Sequence, residues 1–404
     1  MNEGNQMDIV IVANFCGSMQ RSDNDRFLYL AEMLSQQHQV EVVTSDFDHD
    51  RKKHRKEIAA FPFQVTQLHE SGYKKNVCLK RFASHYGWGR RVAEYLRQRK
   101  RPDVVYCAVP SLTGPLAAAN YCHREKVRFV IDVQDLWREA FSMVFHVPVL
   151  SDIVFMPFRR MANGVYRRAD AVCAVSETYV ERALAVNRIG AQGHCVYLGT
   201  RLEDFDRNAQ QSLPTDDREG CQSLLGYCGT LGSSYDLTCV LDALAILKGQ
   251  GVTPPRFLVM GDGPRKEEFE RYAAQRGVDT LFTGRLPYGE MCARLSQCDM
   301  VVNPISQGAA QSIINKHADY AAVGRPVLNT QECAEYRTMV DSFEMGFNCR
   351  CGDAIDLADK MRVLIENGDL RRRMGENARR CANEKFDREN TYQTLVDVIT
   401  GLGT

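Results

Sequence analysis

A lysine and an aspartate three residues apart, Lys316 and Asp319, stand where the sequence predicts the first turns of a helix. A helix start presents free N–H groups and a partial positive charge, which together suit a phosphate group. A lysine in the first turn opposes the helix dipole, so Lys316 is either a plain exposed side chain or a ligand for that phosphate. Asp319, deeper in the helix, can accept hydrogen bonds from the hydroxyls of a sugar.

The elements that must position these two residues are a strand, a loop and a helix. The apolar run from Met300 to Val302 is typical of a buried strand, and small polar residues follow it as a loop. The helix is predicted to begin near Ser312 or Asn315, both good capping residues, and to end at Gly324, which suits the left-handed position after a helix. In an open parallel sheet, ligands bind where such loops leave the carboxyl ends of the strands.

This stretch resembles the donor-binding segment of retaining glycosyltransferases of family 4, which use nucleotide sugars. The hallmark of that family is Glu-x7-Glu followed by a helix ending A-x-G-x-P-V, and residues 322–327 (AVGRPV) match the ending. The two acidic positions fall on Gln311 and Asp319. The resemblance implies that Asp319 contacts the ribose and that Gln311 orients the donor sugar without a charge. It also implies a helix start that stabilises the departing diphosphate, formed by Ser312, Ile313, Ile314 and Lys316. An ordinary helix with a polar face is the alternative.

Three loops earlier in the second half are predicted to open onto the same edge of the sheet. Each follows a short apolar run that is typical of a strand. We expect these loops to contribute to donor binding through Gly229, Thr230, Gly261, Gly263 and Arg285.

The first of these loops departs from the family. Family members usually carry Gly-Arg there and Lys-Gly five residues later, as a cationic clamp on the diphosphate. Here Thr230 and Tyr235 stand at the two cationic positions. Lys316 and Arg325 are the charges that remain nearby.

The first half opens with the apolar run Asp8–Ala13, which is typical of a buried strand. Gly17 is the one glycine of the loop that follows, where a dinucleotide-binding fingerprint needs three, so the sequence does not indicate a dehydrogenase. In the family this loop faces the donor across a cleft between two domains, and Gly17 matches that position. A simple turn glycine is an equal alternative.

A second candidate site follows the strand predicted at Phe129–Asp132, in the stretch QDLWRE at residues 134–139. In the family this strand end carries the acceptor-side catalytic motif. Asp135 matches it, and Gln134 stands where many members have His. The alternative is that Asp135 only caps the next helix.

Residues 51–101 carry 15 Lys and Arg against three Glu, with aromatic residues interleaved. Three interpretations stay open: a solvated basic face, a nucleic-acid surface, and a surface for anionic lipid headgroups or a lipid-pyrophosphate acceptor. No nucleic-acid motif accompanies the segment, so nucleic acid is the least favoured partner. The segment also resembles the acceptor domain of bacterial surface-polysaccharide glycosyltransferases. The apolar residues 143–158 are either ordinary helix packing or a lip that dips into a membrane surface.

Composition excludes several classes of protein. Fifteen cysteines are scattered without any C-x-x-C pair, so neither a cysteine zinc site nor a disulfide framework is predicted. No apolar run approaches the length of a membrane span, and the start of the chain lacks the features of a signal peptide. We expect a cytoplasmic protein that can be peripheral on the inner face of the plasma membrane.

The predicted fold is α/β: two facing Rossmann-like, doubly wound domains in the GT-B arrangement, with a cleft between them. The predicted domains are residues 1–200 for the acceptor and 201–385 for the nucleotide sugar, with a linker at 207–222. Residues 386–404 are expected to form a helix that packs back on the first domain.

The function implied is retaining, metal-independent transfer of a hexose from a nucleotide sugar, taken to be a UDP-sugar, to a lipid-linked or polysaccharide acceptor in cell-surface polysaccharide synthesis. No cofactor and no metal site are expected. The alternatives are a nucleotide-sugar epimerase of the same fold and a catalytically inactive binding subunit. The sequence does not specify the donor sugar, the linkage or the oligomeric state.

Overall fold

The structure is a computed structural model that describes residues 6–17, 19, 25–75, 78–136, 156–213, 217–309 and 312–401. The chain forms two compact units. Unit 1 comprises the residues up to Tyr197 together with the segment from Tyr392, and unit 2 comprises Leu198–Thr391.

Unit 1 is built on a seven-stranded parallel sheet in the order β5-β2-β1-β6-β7-β8-β9. Its strands are β1 (Asp8–Ala13), β2 (Gln39–Ser45), β5 (Gln64–Leu68), β6 (Val104–Val109), β7 (Arg128–Val133), β8 (Ala171–Ala174) and β9 (Gln192–Cys195). A separate antiparallel pair is formed by β3 (Phe47–Asp48) and β4 (Lys53–His54). The helices are α1 (Arg26–Leu34), α2 (Leu79–Gln98), α3 (Thr113–Glu125), α4 (Met156–Tyr166), α5 (Glu177–Leu184) and, in the C-terminal segment, α15 (Gln393–Thr400).

Unit 2 is built on a six-stranded parallel sheet in the order β12-β11-β10-β13-β14-β15. Its strands are β10 (Leu224–Cys228), β11 (Arg256–Met260), β12 (Thr280–Gly284), β13 (Met300–Asn303), β14 (Val327–Asn329) and β15 (Gly346–Asn348). The helices are α6 (Leu202–Ala209), α7 (Leu237–Gly249), α8 (Lys266–Arg276), α9 (Tyr288–Ser296), α10 (Asn315–Ala322), α11 (Ala334–Phe343), α12 (Ala354–Glu366), α13 (Gly368–Cys381), a π-helical turn (Ala382–Phe386) and α14 (Arg388–Thr391).

Both sheets are buried on both faces, which explains why their strands are continuous apolar runs rather than alternating ones. In β1, for example, the residues from Ile9 to Ala13 are all fully buried. The strand runs predicted from the sequence are confirmed, and β1 and β10 have the predicted bounds.

The strand order reverses direction once in each sheet, between β1 and β6 in unit 1 and between β10 and β13 in unit 2. Ligands of open α/β sheets bind at the carboxyl ends of the strands at such a switch point. The predicted phosphate-binding helix, α10, follows β13 directly, so the topology of unit 2 places it at that point.

Two segments differ from the sequence-based expectation. The predicted linker at 207–222 belongs to unit 2: its start lies in α6, and Asp217 is buried in an ion pair with Arg294. The predicted final helix is divided into α14 and α15, and the unit changes after Thr391. Leu395 and Ile399 of α15 are buried in the core of unit 1 beside α1 and β1.

Candidate functional site

The switch point of unit 2 is closed by two loops that hydrogen-bond to each other. The amide of Asp236 donates to the carbonyl of Pro304 at 2.9 Å, and that of Ser306 to the carbonyl of Ser234 at 3.0 Å. The loop after β10 and the loop after β13 are therefore held as one surface beside the start of α10.

The glycines of this surface serve close backbone approach. A Cβ on Gly261 would lie 1.8 Å from the carbonyl oxygen of Gly229, and one on Gly263 would lie 2.4 Å from that of Leu231. The φ of +143° at Gly229 is itself in the region that favours glycine. Gly261 and Gly263 are thus explained by the packing of the loops after β10 and β11, and their predicted contact with a donor stays a prediction.

The helix α10 begins at Asn315 and ends as predicted, with Gly324 in the left-handed conformation at φ +64°. Ile314 occupies the capping position with an extended backbone, and its amide donates to Nδ1 of His317 at 3.3 Å. Ile313 is buried, and the carbonyl of Ser312 accepts from Nε2 of Gln331 at 3.0 Å. The entry into the helix is therefore fixed, and the amide of Ile314 is already engaged.

Lys316 is buried beneath this surface, contrary to the alternative of an exposed lysine. Its side chain is 7% exposed, and its Nζ has no hydrogen-bond partner among the described residues. Nζ lies 4.4 Å from the ring centroid of Tyr227 and 3.9 Å from that of Tyr235. A Cβ on Gly229 would lie 3.0 Å from it, so the ammonium group sits directly against the glycine loop.

Burial lowers the pKa of Lys316 to about 7, because an ammonium group loses its hydration there. The two aromatic faces attract the charged form but offer no acceptor atoms. Buried polar groups of native proteins are almost always hydrogen-bonded. An unpartnered ammonium group at a switch point therefore indicates an anionic ligand.

Asp319 lies on the same helix, one turn after Lys316, and the residue is 9% exposed. Its Oδ1 accepts from the hydroxyl of Tyr288 at 2.9 Å, and that hydroxyl also lies 2.8 Å from Oγ1 of Thr200. Burial raises the pKa of Asp319 to about 6, although the Tyr288 hydrogen bond and Arg388 oppose the shift. The carboxylate is thereby fixed in orientation while its other oxygen remains available for a ligand hydroxyl.

A polar network that the sequence did not reveal holds α10 on the sheet. Nδ2 of Asn303 lies within 3.1 Å of His317 Nε2, Asn329 Oδ1 and Gln331 Oε1. His317 is stacked on Tyr336 at a centroid distance of 3.6 Å, and burial lowers its pKa well below the usual value. The signal in the sequence was that Asn303 and Asn329 both end apolar strands, and these strands prove to be paired in register.

Thr230, Arg285 and Arg325 are other residues of unit 2 that the sequence singled out. Thr230 is exposed, and only its carbonyl is engaged, by the hydroxyl of Tyr227 at 2.8 Å. Arg285 is exposed after β12, the edge strand, which stands three places from β13 in the sheet. Arg325, the second cation expected near the phosphate, donates to the carbonyl of Ser296 at the end of α9 instead. Gln311 lies outside the described residues.

In unit 1 the predicted acceptor-side residues follow β7 at the carboxyl edge of the sheet. The amide of Gln134 donates to the carbonyl of Val109 at 2.8 Å, and its side chain lies 3.4 Å from Oδ2 of Asp132. Asp135 is partly buried beside it. The rest of the motif, residues 137–139, is outside the described part of the chain.

Gly17 is exposed in the loop after β1. Its amide donates to the carboxylate of Asp25, which also caps α1, and its carbonyl accepts from Arg55 at 2.8 Å. The loop is thus held in place from both sides.

A buried ion pair beneath this edge was missed by sequence reasoning. Arg26 donates to both carboxylate oxygens of Asp132, at 2.7 and 3.1 Å, and neither side chain is more than 3% exposed. It also donates to the carbonyl of Tyr197 and the hydroxyl of Tyr392. An aspartate within an otherwise apolar strand was the available signal.

Two family models match the chain. "Glycosyltransferase Family 4" matches residues 26–204, and "Glycosyl transferases group 1" matches residues 216–381. Together they cover 345 of the 404 residues.

Known proteins of similar sequence and structure are distant. The putative glycosyltransferase EpsD of Bacillus subtilis is 20% identical over 309 residues, covering 74% of this chain and 76% of EpsD. The structure of HepE of Anabaena in complex with UDP superimposes with a TM-score of 0.69 at 16% identity, covering 98% of this chain and 100% of HepE. The lipopolysaccharide glycosyltransferase WaaG superimposes with a TM-score of 0.65 at 18% identity, covering 97% and 100%. These structural likenesses establish the fold, which is GT-B.

Proposed function

Because the chain belongs to the family 4, group 1 glycosyltransferases, which are retaining enzymes that depend on nucleotide sugars, we propose that unit 2 binds a UDP-sugar and that its hexose is transferred to a lipid-linked or polysaccharide acceptor. HepE has been crystallised with UDP and with UDP-glucose, which supports a uridine nucleotide here. The pathway we propose is the synthesis of a cell-surface polysaccharide.

The observation that carries the proposal is the unpartnered ammonium group of Lys316. A diphosphate placed over the start of α10 supplies the acceptor atoms that this group lacks. The helix start adds backbone N–H groups and the positive end of the helix dipole. In the family the loop after β10 carries the cationic clamp, whereas here Tyr235 occupies one of its positions and stacks on Lys316. We propose that the clamp charge has moved from that loop to α10.

Such a charge acts in the transition state as well as in binding. Negative charge grows on the departing diphosphate as the bond to the sugar breaks. A buried ammonium group stabilises that charge more strongly than an exposed one, because the local dielectric constant is low. The step needs no metal ion when Lys316 and the helix start supply the compensating charge.

We further propose that Asp319 accepts hydrogen bonds from the ribose hydroxyls. Its fixed carboxylate lies on the same helix as Lys316, one turn further on. A ribose is joined directly to the diphosphate in a nucleoside diphosphate, so one ligand can meet both side chains. Gln311 is proposed to orient the donor sugar, and Gln134 and Asp135 of unit 1 to act on the acceptor.

The basic surface of unit 1 supports a membrane-bound acceptor. On α2, Leu79 is 86% exposed and Tyr86 is 60% exposed, and Lys80, Arg90 and Arg91 are exposed on the same helix. We call these five residues the α2 surface. No helix in the described part of the chain is long and apolar enough to cross a membrane.

A groove beside the α2 surface has the character that a lipid headgroup needs. It has a volume of about 330 Å³ between α2 and α3, with Arg90, Arg97 and Arg124 around apolar residues such as Leu116 and Met161. Exposed cations next to apolar side chains suit a phosphate joined to an acyl chain. We therefore propose peripheral docking of unit 1 on anionic membrane.

Calorimetry of the full chain with UDP and GDP, in the presence of EDTA, tests the proposal. We expect binding of one equivalent of UDP. In a separate incubation with the correct UDP-sugar and no acceptor, we expect slow hydrolysis to UDP and free sugar, with water in place of the acceptor. The absence of binding by any nucleoside diphosphate would overturn the proposed donor site. Binding that requires added Mn²⁺ would overturn its metal independence.

A further inference from the structure

Two histidines and an aspartate from three separate segments of unit 1 converge at the edge of its sheet. Nδ1 of His69 lies 2.8 Å from Oδ2 of Asp46, and Nδ1 of His54 lies 3.3 Å from Oδ1. The two imidazole rings are stacked, with centroids 5.3 Å apart and an interplanar angle of 16°. One ligand atom from each residue lies within 4.8 Å of the other two. We propose that Asp46, His54 and His69 bind a divalent transition-metal ion, with Zn²⁺ the best fit.

The backbone holds the three residues in place without any metal. Asp46 follows β2, His54 ends β4 and His69 follows β5. The amide of Asp46 donates to the carbonyl of Leu68 at 3.0 Å, and the carbonyl of Asp46 accepts from the amide of Arg55 at 2.8 Å. Each histidine is therefore tied to Asp46 through a direct neighbour in sequence. A metal ion can bind here with small movements of side chains alone.

The donor atoms suit zinc in type and in spacing. Imidazole nitrogen is a ligand for Zn²⁺, Cu²⁺ and Ni²⁺, and a carboxylate completes common zinc sites. Two ligands of a tetrahedral zinc ion with bonds of about 2.0–2.1 Å lie about 3.3 Å apart. His54 Nδ1 lies 3.3 Å from Oδ1 of Asp46, whereas His69 Nδ1 lies 2.8 Å from the other oxygen, Oδ2. One ligand atom from each of the three residues lies within 4.8 Å of the other two, so small side-chain movements bring all three to the separation that zinc needs.

Each ring coordinates the ion through Nδ1 in the tautomer that carries its proton on Nε2. Where Nδ1 carries a proton, that proton is exchanged to Nε2 through solvent before Nδ1 coordinates the ion. His54 and His69 are 45% and 56% exposed, so both Nε2 protons can be hydrated. The open side of the site leaves room for water as a further ligand.

The surrounding charges do not close the site to a cation. The carboxylate of Asp46 accepts a hydrogen bond from the amide of Glu70 at 2.7 Å, which fixes its orientation towards the two imidazole rings. Lys53 precedes His54 in β4, so its side chain points to the opposite face of that strand. The guanidinium group of Arg55 is directed away, towards the carbonyls of Ser45 and Gly17.

The consequence of metal binding is local stiffening. The ion would join the β3–β4 pair to the end of β5, the outermost strand of the sheet. Edge strands are held on one side only, so a bridge at this point stabilises the rim of unit 1. The proposed donor chemistry lies in unit 2 and does not depend on this ion.

Zinc titration of the tag-free full chain, stripped with EDTA and then desalted, tests the site. Calorimetry at pH 7.5 is expected to show one site, and both His54→Ala and His69→Ala are expected to weaken it by at least about tenfold. His123→Ala is the matched control, because this histidine is exposed on α3 of the same unit. Circular dichroism verifies that each variant is folded.

A Co²⁺ spectrum separates this site from the cysteines. Cobalt held by nitrogen and oxygen lacks the intense thiolate-to-metal absorption that cysteine ligands produce. Zinc should also raise the melting temperature of the wild type but not of His69→Ala. No zinc binding by the wild type, unchanged binding in both histidine variants, or a thiolate spectrum would each overturn the proposal. UDP binding measured on the same samples is expected to be unaffected, which separates this test from that of the donor site.

Discussion

Arg26 in unit 1 and Lys316 in unit 2 are buried cations of two different kinds: the fold supplies hydrogen-bond acceptors to Arg26 but not to Lys316. Arg26 of unit 1 donates to both oxygens of Asp132, to the carbonyl of Tyr197 and to the hydroxyl of Tyr392. Lys316 of unit 2 is buried to a similar degree, yet its Nζ has no hydrogen-bond partner among the described residues. Both are surrounded by tyrosines, so aromatic contact is not what distinguishes them.

The difference separates a structural charge from a binding charge. Although burial lowers it, the Asp132 carboxylate holds the pKa of Arg26 well above the usual value. With no such partner, burial lowers the pKa of Lys316 to about 7. A charge that the fold satisfies contributes to one native structure, whereas a charge left without acceptors is satisfied only when a ligand arrives. The two sites should therefore respond to substitution in opposite ways.

The largest effect is expected for Arg26→Met. It leaves the Asp132 carboxylate buried and uncompensated, which costs about 3–5 kcal/mol of unfolding free energy. The double variant Arg26→Met/Asp132→Leu removes both charges and should recover much of that loss. Urea unfolding gives the free energy of unfolding of the wild type, the single variant and the double variant. A loss below about 1 kcal/mol for Arg26→Met would mean that Arg26 is no more structural than Lys316.

Lys316→Met should have the opposite profile. Removing an unpartnered buried ammonium group should leave the free energy of unfolding unchanged or raise it. Loss of a hydrogen bond to a charged group costs about 1.5–3 kcal/mol of binding, so we expect UDP affinity to fall by about 10- to 150-fold. Lys385→Met, at an exposed lysine of unit 2, is the control. Unaltered UDP affinity in Lys316→Met would remove the main support for the donor site.

This comparison was only half visible in the sequence. A lysine in the first turn of a helix conflicts with the helix dipole, and that local conflict was enough to single out Lys316. Nothing local marks Arg26, whose partner Asp132 is 106 residues away. The strands and the left-handed end of α10 were predictable for the same reason, because periodicity and turn chemistry are local.

Long-range contacts account for most of what the sequence did not predict. Arg325 follows α10 closely, but its guanidinium group pairs with the end of α9 rather than with the site. The metal site was missed because the analysis of the sequence weighed cysteine spacing, whereas Asp46, His54 and His69 meet only through strand pairing. Gly261 was predicted to lie on the loop surface at the carboxyl edge of the sheet, and its Cα does face the loop at Gly229. The structure explains why this residue is a glycine: a Cβ would clash with the backbone of Gly229.

The pH dependence of UDP affinity sharpens the comparison. Binding needs Lys316 protonated, which weakens it as pH rises above about 7, and Asp319 ionised, which weakens it as pH falls below about 6. We expect the tightest binding between these values and a loss of up to about tenfold per pH unit on either side. Calorimetry from pH 5 to 9 measures the profile.

Two variants test which residue causes the loss of UDP affinity at high pH and which causes the loss at low pH. Lys316→Met should flatten the alkaline side, and Asp319→Asn the acidic side. Cys228, His317 and Tyr227 are neutral over this range, because burial shifts their pKa values away from it. A profile that stays level from pH 5 to 9 in the wild type would count against both assignments.

Substitutions at Gln311 and Asp319, which stand at the two acidic positions of the family motif, should have smaller and different effects. A charge-assisted hydrogen bond is about twice as strong as a neutral one, so Asp319→Asn should weaken UDP binding by about three- to tenfold. Asn retains the hydrogen bond with Tyr288. Gln311→Ala should leave UDP binding nearly unchanged and lower turnover instead, since it is proposed to face the sugar. Asp369→Asn, on the exposed face of α13, is the control, and the reverse pattern would mean that the segment is misaligned with the family.

The smallest effect concerns the α2 surface, where charges are neither buried nor paired but exposed. Each Lys or Arg near anionic headgroups contributes about 1 kcal/mol, so the three cations of the α2 surface supply about 3 kcal/mol, which corresponds to an affinity in the millimolar range. At low salt, most of the protein should sediment with phosphatidylglycerol vesicles. The sedimented fraction should fall steeply as the salt concentration rises to the physiological value, because exposed charges are screened. Phosphatidylcholine vesicles should not bind the protein.

Matched variants test the cations themselves. Arg90→Ala should weaken the affinity for phosphatidylglycerol vesicles by about fivefold, whereas Arg207→Ala, at an exposed arginine of unit 2, should leave it unchanged. Equal behaviour with the two lipids would leave the α2 surface as a solvated face and point to a soluble acceptor.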